Sequence, residues 1–514
     1  MTGNAAFVRD GRPHADPAAL RARLPEFAEA ARKFHSGEMN KKEFKSFSGW
    51  FGSLPQRDDE THMVRFRLAG GRLTEPKLAY IVDSVEKYGI DLVHLTTGQT
   101  IQFHNVQWED ACEILDGMFD VGIIPMGGGG DNPRNVAASP LSGVDPGEAF
   151  DVLPFAEASE DYLLGILESI KLPRKFKMAF SNGSGSDVHA TIRDLGFVAK
   201  PNGKFDVYAG GGLGNRGPRA GVLVLSDCEP SDVLYCVEAM ITLFLEHGAY
   251  ETRAETRTRF MRDRLGEERF VEAFGEHLRA SRERGGLDLD IDVILAKPSK
   301  TEGWPMSQKQ PGMYAARVSP VCGDPTKEEL KKFLRILREN PGSEIRTSPN
   351  QEMFFINLPR EAAENLSKEY SETEFRRSVS CVGSHICQTG LRNSRAALKS
   401  ILSAEKEQNF PDGTLPRVRI SGCGSSCSAH QVGELGLRGA TAKTPEGNKP
   451  GFEIFYKGSD EPLDVVIGEP LGVIPEESLP AFFIDLGKAV SPGRFSDWIK
   501  ENDGKFREIV GKYV

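Results

Sequence analysis

Met63-Val-Arg-Phe-Arg-Leu68 opens a strand-like alternation, followed by a helical stretch from Glu75 to Tyr88 and a second strand-like stretch, Gln99-Thr-Ile-Gln-Phe-His-Asn-Val106. The same order returns as Met313-Tyr-Ala-Ala-Arg-Val318, a helical stretch from Lys327 to Glu339, and Gln351-Glu-Met-Phe-Phe-Ile-Asn-Leu358. Further on, Leu172-Pro-Arg174 is matched by Leu415-Pro-Arg417, Asp194-Leu-Gly-Phe197 by Glu434-Leu-Gly-Leu437, and Phe205-Asp-Val-Tyr208 by Phe452-Glu-Ile-Phe455. The offsets are 250, 243, 240 and 247 residues, so order is kept while loop lengths drift. A duplication explains this better than chance. Two strand, helix and strand units, each leading into a larger mixed segment, predict an α+β molecule with mixed sheets, a pseudo-twofold relation and a cleft between halves.

Composition bounds the rest. A chain of 514 residues, 39% hydrophobic and 27% charged, is ordinary globular material of about two to four domains. Lys and Arg total 64 against 74 Asp and Glu, a net charge of -10, so no overall basic field exists for nucleic acid. The opening MTGNAAFVRDGRPHADPAAL lacks the apolar core of a secretion signal, and no apolar run reaches membrane-spanning length, which predicts a cytoplasmic, unanchored protein. Lys41-Lys-Glu-Phe-Lys45 reads as a solvated surface stretch, and residues 284–312 as the connector between halves.

Four of the eight cysteines, Cys112, Cys228, Cys236 and Cys322, are scattered among apolar neighbours and read as small buried hydrophobes. The other four fall within 47 residues: Cys381-Val-Gly-Ser-His-Ile-Cys387 and Cys423-Gly-Ser-Ser-Cys427. Two tight turns carrying four thiolates can surround one metal centre, and thiolate sets select zinc or an iron–sulfur cluster. Structural zinc favours pairs spaced by two to four residues, which fits the second pair and not the first. Spacing alone leaves open a zinc-stabilised binding protein without enzymatic activity.

C-x5-C followed by Gly-Cys-x3-Cys resembles the signature of the siroheme-dependent nitrite and sulfite reductases, and the likeness extends over the repeat from about residue 61 to the end. The resemblance implies a 4Fe-4S cluster on Cys381, Cys387, Cys423 and Cys427, with Cys427 also the axial ligand of siroheme iron. It implies the duplicated fold of that family, with cofactors in the cleft. The corresponding divisions are an N-terminal extension (1–60), ferredoxin-like half-domains (61–125 and 305–372), a first siroheme and cluster-type domain without cluster ligands (126–290), and a second carrying the cysteines (373–514).

Sulfite and nitrite are small anions whose six-electron reduction consumes protons, so a site for them needs fixed positive charge and proton donors. Arg65, with Arg67 on the same strand face, Arg134 in Gly130-Asp-Asn-Pro-Arg-Asn135, and the pair Lys175 and Lys177 fit by residue type. Alone they would read as a basic outer face; the resemblance makes Arg65, Arg134, Lys175 and Lys177 the substrate cations. The two lysines, two residues apart, should raise each other's acidity. For the tetrapyrrole carboxylates the nominees are Gln102 and His104, the glycine loop with Gly211 and Gly212, and Arg257 and Arg259.

Two departures from the family pattern stand out. Thr97-Gly98-Gln99 lacks an arginine between Thr and Gln, and Gly424-Ser425 replaces Pro-Asn after Cys423. In the family, Lys-x-Lys accompanies sulfite reduction and Lys-x-Asn nitrite reduction, so Lys175-Phe-Lys177 leans toward sulfite, with nitrite as the alternative. No G-x-G-x-x-G follows a strand, so electrons come from outside. Ferredoxin is the expected donor, with a flavoprotein subunit as the alternative.

Overall fold

A computed structural model describes residues 8–9, 12–185, 188–296, 299, 303–461 and 464–514. Parts of the N-terminal stretch read for a secretion signal and of the 284–312 connector lie outside the described residues. Among those described, no helix is long and apolar enough to cross a membrane.

The first repeat folds as an antiparallel sheet in which Ser53–Pro55, His62–Phe66, Ile101–Val106 and Leu92–Leu95 lie in that order, backed by the helix Glu75–Lys87. The second repeats it: Met306–Ser307, Tyr314–Val318, Met353–Leu358 and Glu344–Thr347, with the helix Lys327–Glu339. Arg72–Leu73 of the first repeat then pairs with Arg346 and Ile345, extending the second sheet with a strand from the first half. Alternating apolar residues from both repeats meet in one core that holds Phe66, Phe103, Leu330, Phe333 and Phe355.

The larger segments are also copies. Ala137–Ala138, Met178–Ser181, Leu195–Ala199, Phe205–Ala209 and Val222–Cys228 form one five-stranded sheet. Val379–Ser380, Val418–Ser421, Leu435–Thr444, Gly447–Tyr456 and Glu469–Pro475 form the other. In each, the first three strands run parallel and the last two antiparallel. Met178 pairs with Leu195 as Val418 pairs with Leu435, and each sheet has its own apolar core.

Two readings of the sequence change. Lys41-Lys-Glu-Phe-Lys45 is not simply solvated: Lys41–Ser48 is a helix closed by an Asn40 and Glu43 capping box, and its Phe44 is fully buried in the first core. Helical spacing puts Phe44 inward while its charged neighbours stay out. The second strands begin two residues later than the alternation suggests, at Ile101 and Met353, because Gln99 and Gln351 sit in turns at positive φ.

Candidate functional site

The two cysteine turns follow the second halves of a parallel strand pair. Val379–Ser380 delivers Cys381, and Val418–Ser421 delivers Gly422 and Cys423. The Cys381 sulfur takes a hydrogen bond from Gly422 N at 3.2 Å and lies 3.1 Å from Ser394 Oγ. Gly383, at φ 73°, has no room for a Cβ, which would stand 2.7 Å from Ser394 N. Gly424 is equally confined, because a Cβ there would meet Asn215 Oδ1 at 2.4 Å. Asn215 belongs to the glycine loop of the first half, so the Gly424-Ser425 departure matches a loop that fills that space.

First-half residues also hold the carbonyls of the cysteine turns. Arg57 donates to Cys387 O from Nη2 at 2.9 Å and to Gly390 O at 2.7 Å. Thr97 Oγ1 donates to Cys427 O at 2.5 Å. Gln388, between them, donates to Pro55 O at 2.6 Å and accepts from Lys45 Nζ at 2.8 Å. Across about 330 residues of chain, the first sheet therefore sets the position of the second half's cysteines.

A cavity of about 430 Å³ opens where these elements meet. Cys381, Cys387, Cys423 and Cys427 line it together with Arg65, Arg134, Lys175 and Lys177, and so do Gln102 and His104. Arg65 donates to Gly128 O, and Gln102 turns its amide oxygen to accept from Arg65 Nε at 3.2 Å. Arg134 donates to Gly128 O at 2.9 Å and Gly130 O at 2.7 Å, leaving its buried Nε without a partner. Among the described residues none of Arg65, Arg134, Lys175 and Lys177 has a carboxylate in ion-pair range, whereas Arg67 is paired with Glu160 at 2.7 Å and Arg174 with Asp131 at 2.9 Å. Arg67 shares the face of Arg65 but its charge is already neutralised.

Unpaired burial sets the electrostatics. Burial, then Arg257 and Arg134, pulls the Lys175 pKa down to about 7, and burial followed by Lys175 lowers Lys177 well below its ordinary range. Burial and the neighbouring arginines depress Arg134 as well. Cys427 is exposed to the cavity, yet desolvation by the surrounding protein pushes its thiol up to about 12, with the other three cysteines adding to the rise. Such a set is chemically suited to an anion at its cationic wall and, at its thiols, to a metal centre strong enough to displace their protons.

The remaining nominees are not in the lining, though Arg257 is near enough to lower the Lys175 pKa. Gly211, Gly212, Arg257 and Arg259 do not line the cavity. Gly211 is wedged between Arg193 O and Gly221 N, and a Cβ on Gly212 would stand 3.3 Å from the Arg259 guanidinium. Arg259 donates to Arg216 O at 2.9 Å, and Arg257 is paired with the buried Asp194 at 2.9 Å. Gly214 of the same loop exchanges two hydrogen bonds with Gln431, which ties the loop to the second half.

The sequence reading missed Lys45, Arg174 and Arg193, all of which line the cavity. Arg174 lies within one quoted repeat motif and Arg193 directly before another, a usable signal. Lys45 carries none, since its helix reaches the cavity only through the fold.

Comparison with known proteins bears on this arrangement. The family model described as nitrite and sulphite reductase 4Fe-4S domain matches residues 129–281, and the nitrite/sulfite reductase ferredoxin-like half domain matches 54–118 and 306–372. The cysteines lie outside these segments, in the copy of the first. A ferredoxin–nitrite reductase of Synechococcus elongatus is 29% identical over 419 residues, covering 77% of this chain and 80% of that one. The assimilatory ferredoxin-dependent nitrite reductase of Haloferax mediterranei is 25% identical over 525 residues, covering 94% and 89%. The solved NirA protein of Mycobacterium tuberculosis shares the fold, with a TM-score of 0.77 at 23% identity over 94% of each chain.

Proposed function

This chain belongs to the nitrite and sulfite reductase family, and from that premise we propose that it reduces nitrite to ammonia with electrons from ferredoxin. It is an oxidoreductase for the six-electron reduction of a small oxyanion, and its cofactors are siroheme and a 4Fe-4S cluster. The relatives quoted above are named nitrite reductases, so the lean toward sulfite drawn from Lys175-Phe-Lys177 has no support among them.

The residues present fit the cofactors. Among the described residues no three of the cysteine sulfurs come within 4.8 Å of one another. One tetrahedral zinc with bonds of about 2.3 Å would need sulfurs about 3.8 Å apart. That spacing argues against the zinc-stabilised binding protein and leaves room for an iron–sulfur cube on Cys381, Cys387, Cys423 and Cys427. His104, which lines the cavity, donates through Nδ1 to Gln56 Oε1 at 2.8 Å, and its buried Nε2 is left without a partner.

When bound, the cluster and siroheme supply electrons to the oxyanion. The chain's own part is to bind, orient and protonate. Arg65 and Arg134, tethered to the same carbonyl of Gly128, present two fixed guanidinium groups to the anion. Lys175, poised near neutrality by burial, Arg257 and Arg134, releases and regains a proton readily, and its charge in turn lowers the pKa of Lys177. The observation that carries the reading is the convergence of four cysteines and four carboxylate-free cations on one cavity.

Sulfite is the second reading, favoured by the two lysines on one wall: a second ammonium attracts a more highly charged anion more strongly. The test is kcat/KM for nitrite and for sulfite with one reductant, on protein whose iron and acid-labile sulfide have been measured. Preference for nitrite supports the proposal; preference for sulfite overturns its substrate and keeps the reductase; absence of iron and labile sulfide after anaerobic reconstitution overturns both.

A further inference from the structure

Away from the cavity, the helices Val233–His247 and Glu267–Arg284 pack against each other over the first mixed sheet. Where the first ends, Glu246 and His247 meet His277 of the second. A Glu246 carboxylate oxygen lies 3.4 Å from His277 Nε2 and another 3.6 Å from His247 Nε2. One ligand atom from each of the three residues can be chosen so that all lie within 4.8 Å of one another.

Two features set this trio apart from a surface ion pair. The two separations, to different Glu246 oxygens, are long for hydrogen bonds and comparable with the ligand–ligand spacing of about 3.3–3.6 Å around a metal with bonds of 2.0–2.2 Å. The second feature is the tautomer. His277 Nδ1 lies 2.9 Å from Thr242 Oγ1, whose own proton goes to Glu238 O at 3.0 Å or Ala239 O at 3.1 Å. With its proton so placed, Thr242 accepts from Nδ1–H, which leaves the Nε2 lone pair for the cluster. A partner that fixes the other ring nitrogen is the usual support of a metal-ligating histidine.

We propose that Glu246, His247 and His277 form a divalent transition-metal site, separate from the reductase centre and suited to zinc. Two imidazoles and one carboxylate suit zinc and its neighbours rather than magnesium or calcium, and three protein ligands leave a fourth position for water. Because the ligands come from two helices, the ion would pin the end of one to the side of the other.

The test is equilibrium dialysis of tag-free, cluster-loaded enzyme against Zn²⁺ alone, with bound zinc measured by mass spectrometry and Tm followed in parallel. The wild-type chain is expected to hold about one zinc more than His277→Ala, with Tm raised by zinc in the wild type only. Thr242→Val, which frees the imidazole to turn, should weaken binding by about 10- to 100-fold. Iron and labile sulfide should be equal in all three, since the site lies outside the reductase centre. Equal zinc in wild type and His277→Ala overturns the proposal; Glu246→Gln is read the same way if His277→Ala does not fold.

Discussion

Gln99 and Gln351 occupy one position of the duplicated unit, both at positive φ, 56° and 61°, and they bond reciprocally across the two halves. Gln99 exchanges hydrogen bonds with Ala138 N and O, both at 2.9 Å, and reaches over to Thr347 O at 2.6 Å. Gln351 exchanges bonds with Ser380 N at 3.0 Å and O at 2.7 Å, and reaches back to Leu95 O at 2.9 Å. Each glutamine thus joins its own sheet end, the opposite sheet and the next segment.

Replacing either with alanine strands buried backbone groups, at a cost of about 2–3 kcal/mol. Both variants should unfold at lower denaturant concentration. Only Gln351→Ala should also lose iron, because its partner Ser380 precedes Cys381 and Ala138 precedes no ligand. Denaturant midpoints together with iron content check the pair.

Lys175 predicts a pH limb. Only its protonated form can give a proton, so with a pKa of about 7 the kcat/KM should be highest below that pH and fall as pH rises through it. Lys175→Gln should remove the limb and lower the plateau about 100-fold. A pH profile of both proteins from 5.5 to 8.5, about 1.5 units either side of neutrality, checks this.

Lys177→Asn should discriminate between anions. Removing one cation from a wall that presents several costs a more highly charged anion more, so kcat/KM for sulfite should fall about 10-fold further than for nitrite. Equal losses for the two substrates would show that Lys177 does not sense substrate charge.

Asp194 is fully buried and accepts from Lys177 N at 2.8 Å and from Arg257 Nη2 at 2.9 Å. Asp194→Asn leaves Arg257 without its counter-charge and should cost about 3–5 kcal/mol. Arg257→Gln should cost about as much, and the double variant less than the sum. Urea unfolding of the four proteins checks the cycle, and siroheme content in Arg257→Gln tells whether that arginine also serves the tetrapyrrole.

Glu434, the counterpart of Asp194, has no such partners among the described residues; burial and then Glu374 push its carboxyl up to about 7. An acid raised in the folded state weakens the fold once ionised, so the loss appears as pH rises from about 4.5 to about 7. Glu434→Gln should therefore add about 1–2 kcal/mol at pH 8 and nothing at pH 4. Thermal melts at the two pH values check the sign.

What could be read from residues alone follows from how each feature is encoded. The duplication was legible because strands repeat every second residue and helices every three to four, patterns that survive in both copies from Met63 and Met313. The cysteine quartet was legible because its members are close in the chain. The four cations were legible only through the family likeness. Arg257 and Arg259 read equally well as cofactor partners, yet one is paired with Asp194 and the other holds the Arg216 carbonyl.

The sequence by itself determined a twice-built α+β chain with a thiolate centre in its second copy, since these are local patterns. Only the tertiary structure decided that Lys45, Arg57 and Thr97 of the first half hold or face the cysteine turns of the second. It alone decided that, among the described residues, the four cysteines and the cations Arg65, Arg134, Lys175 and Lys177 line one cavity. The physical reason is that charge state, pairing and ligand spacing depend on what lies within a few ångströms in space, and those neighbours are here some 330 residues apart along the chain.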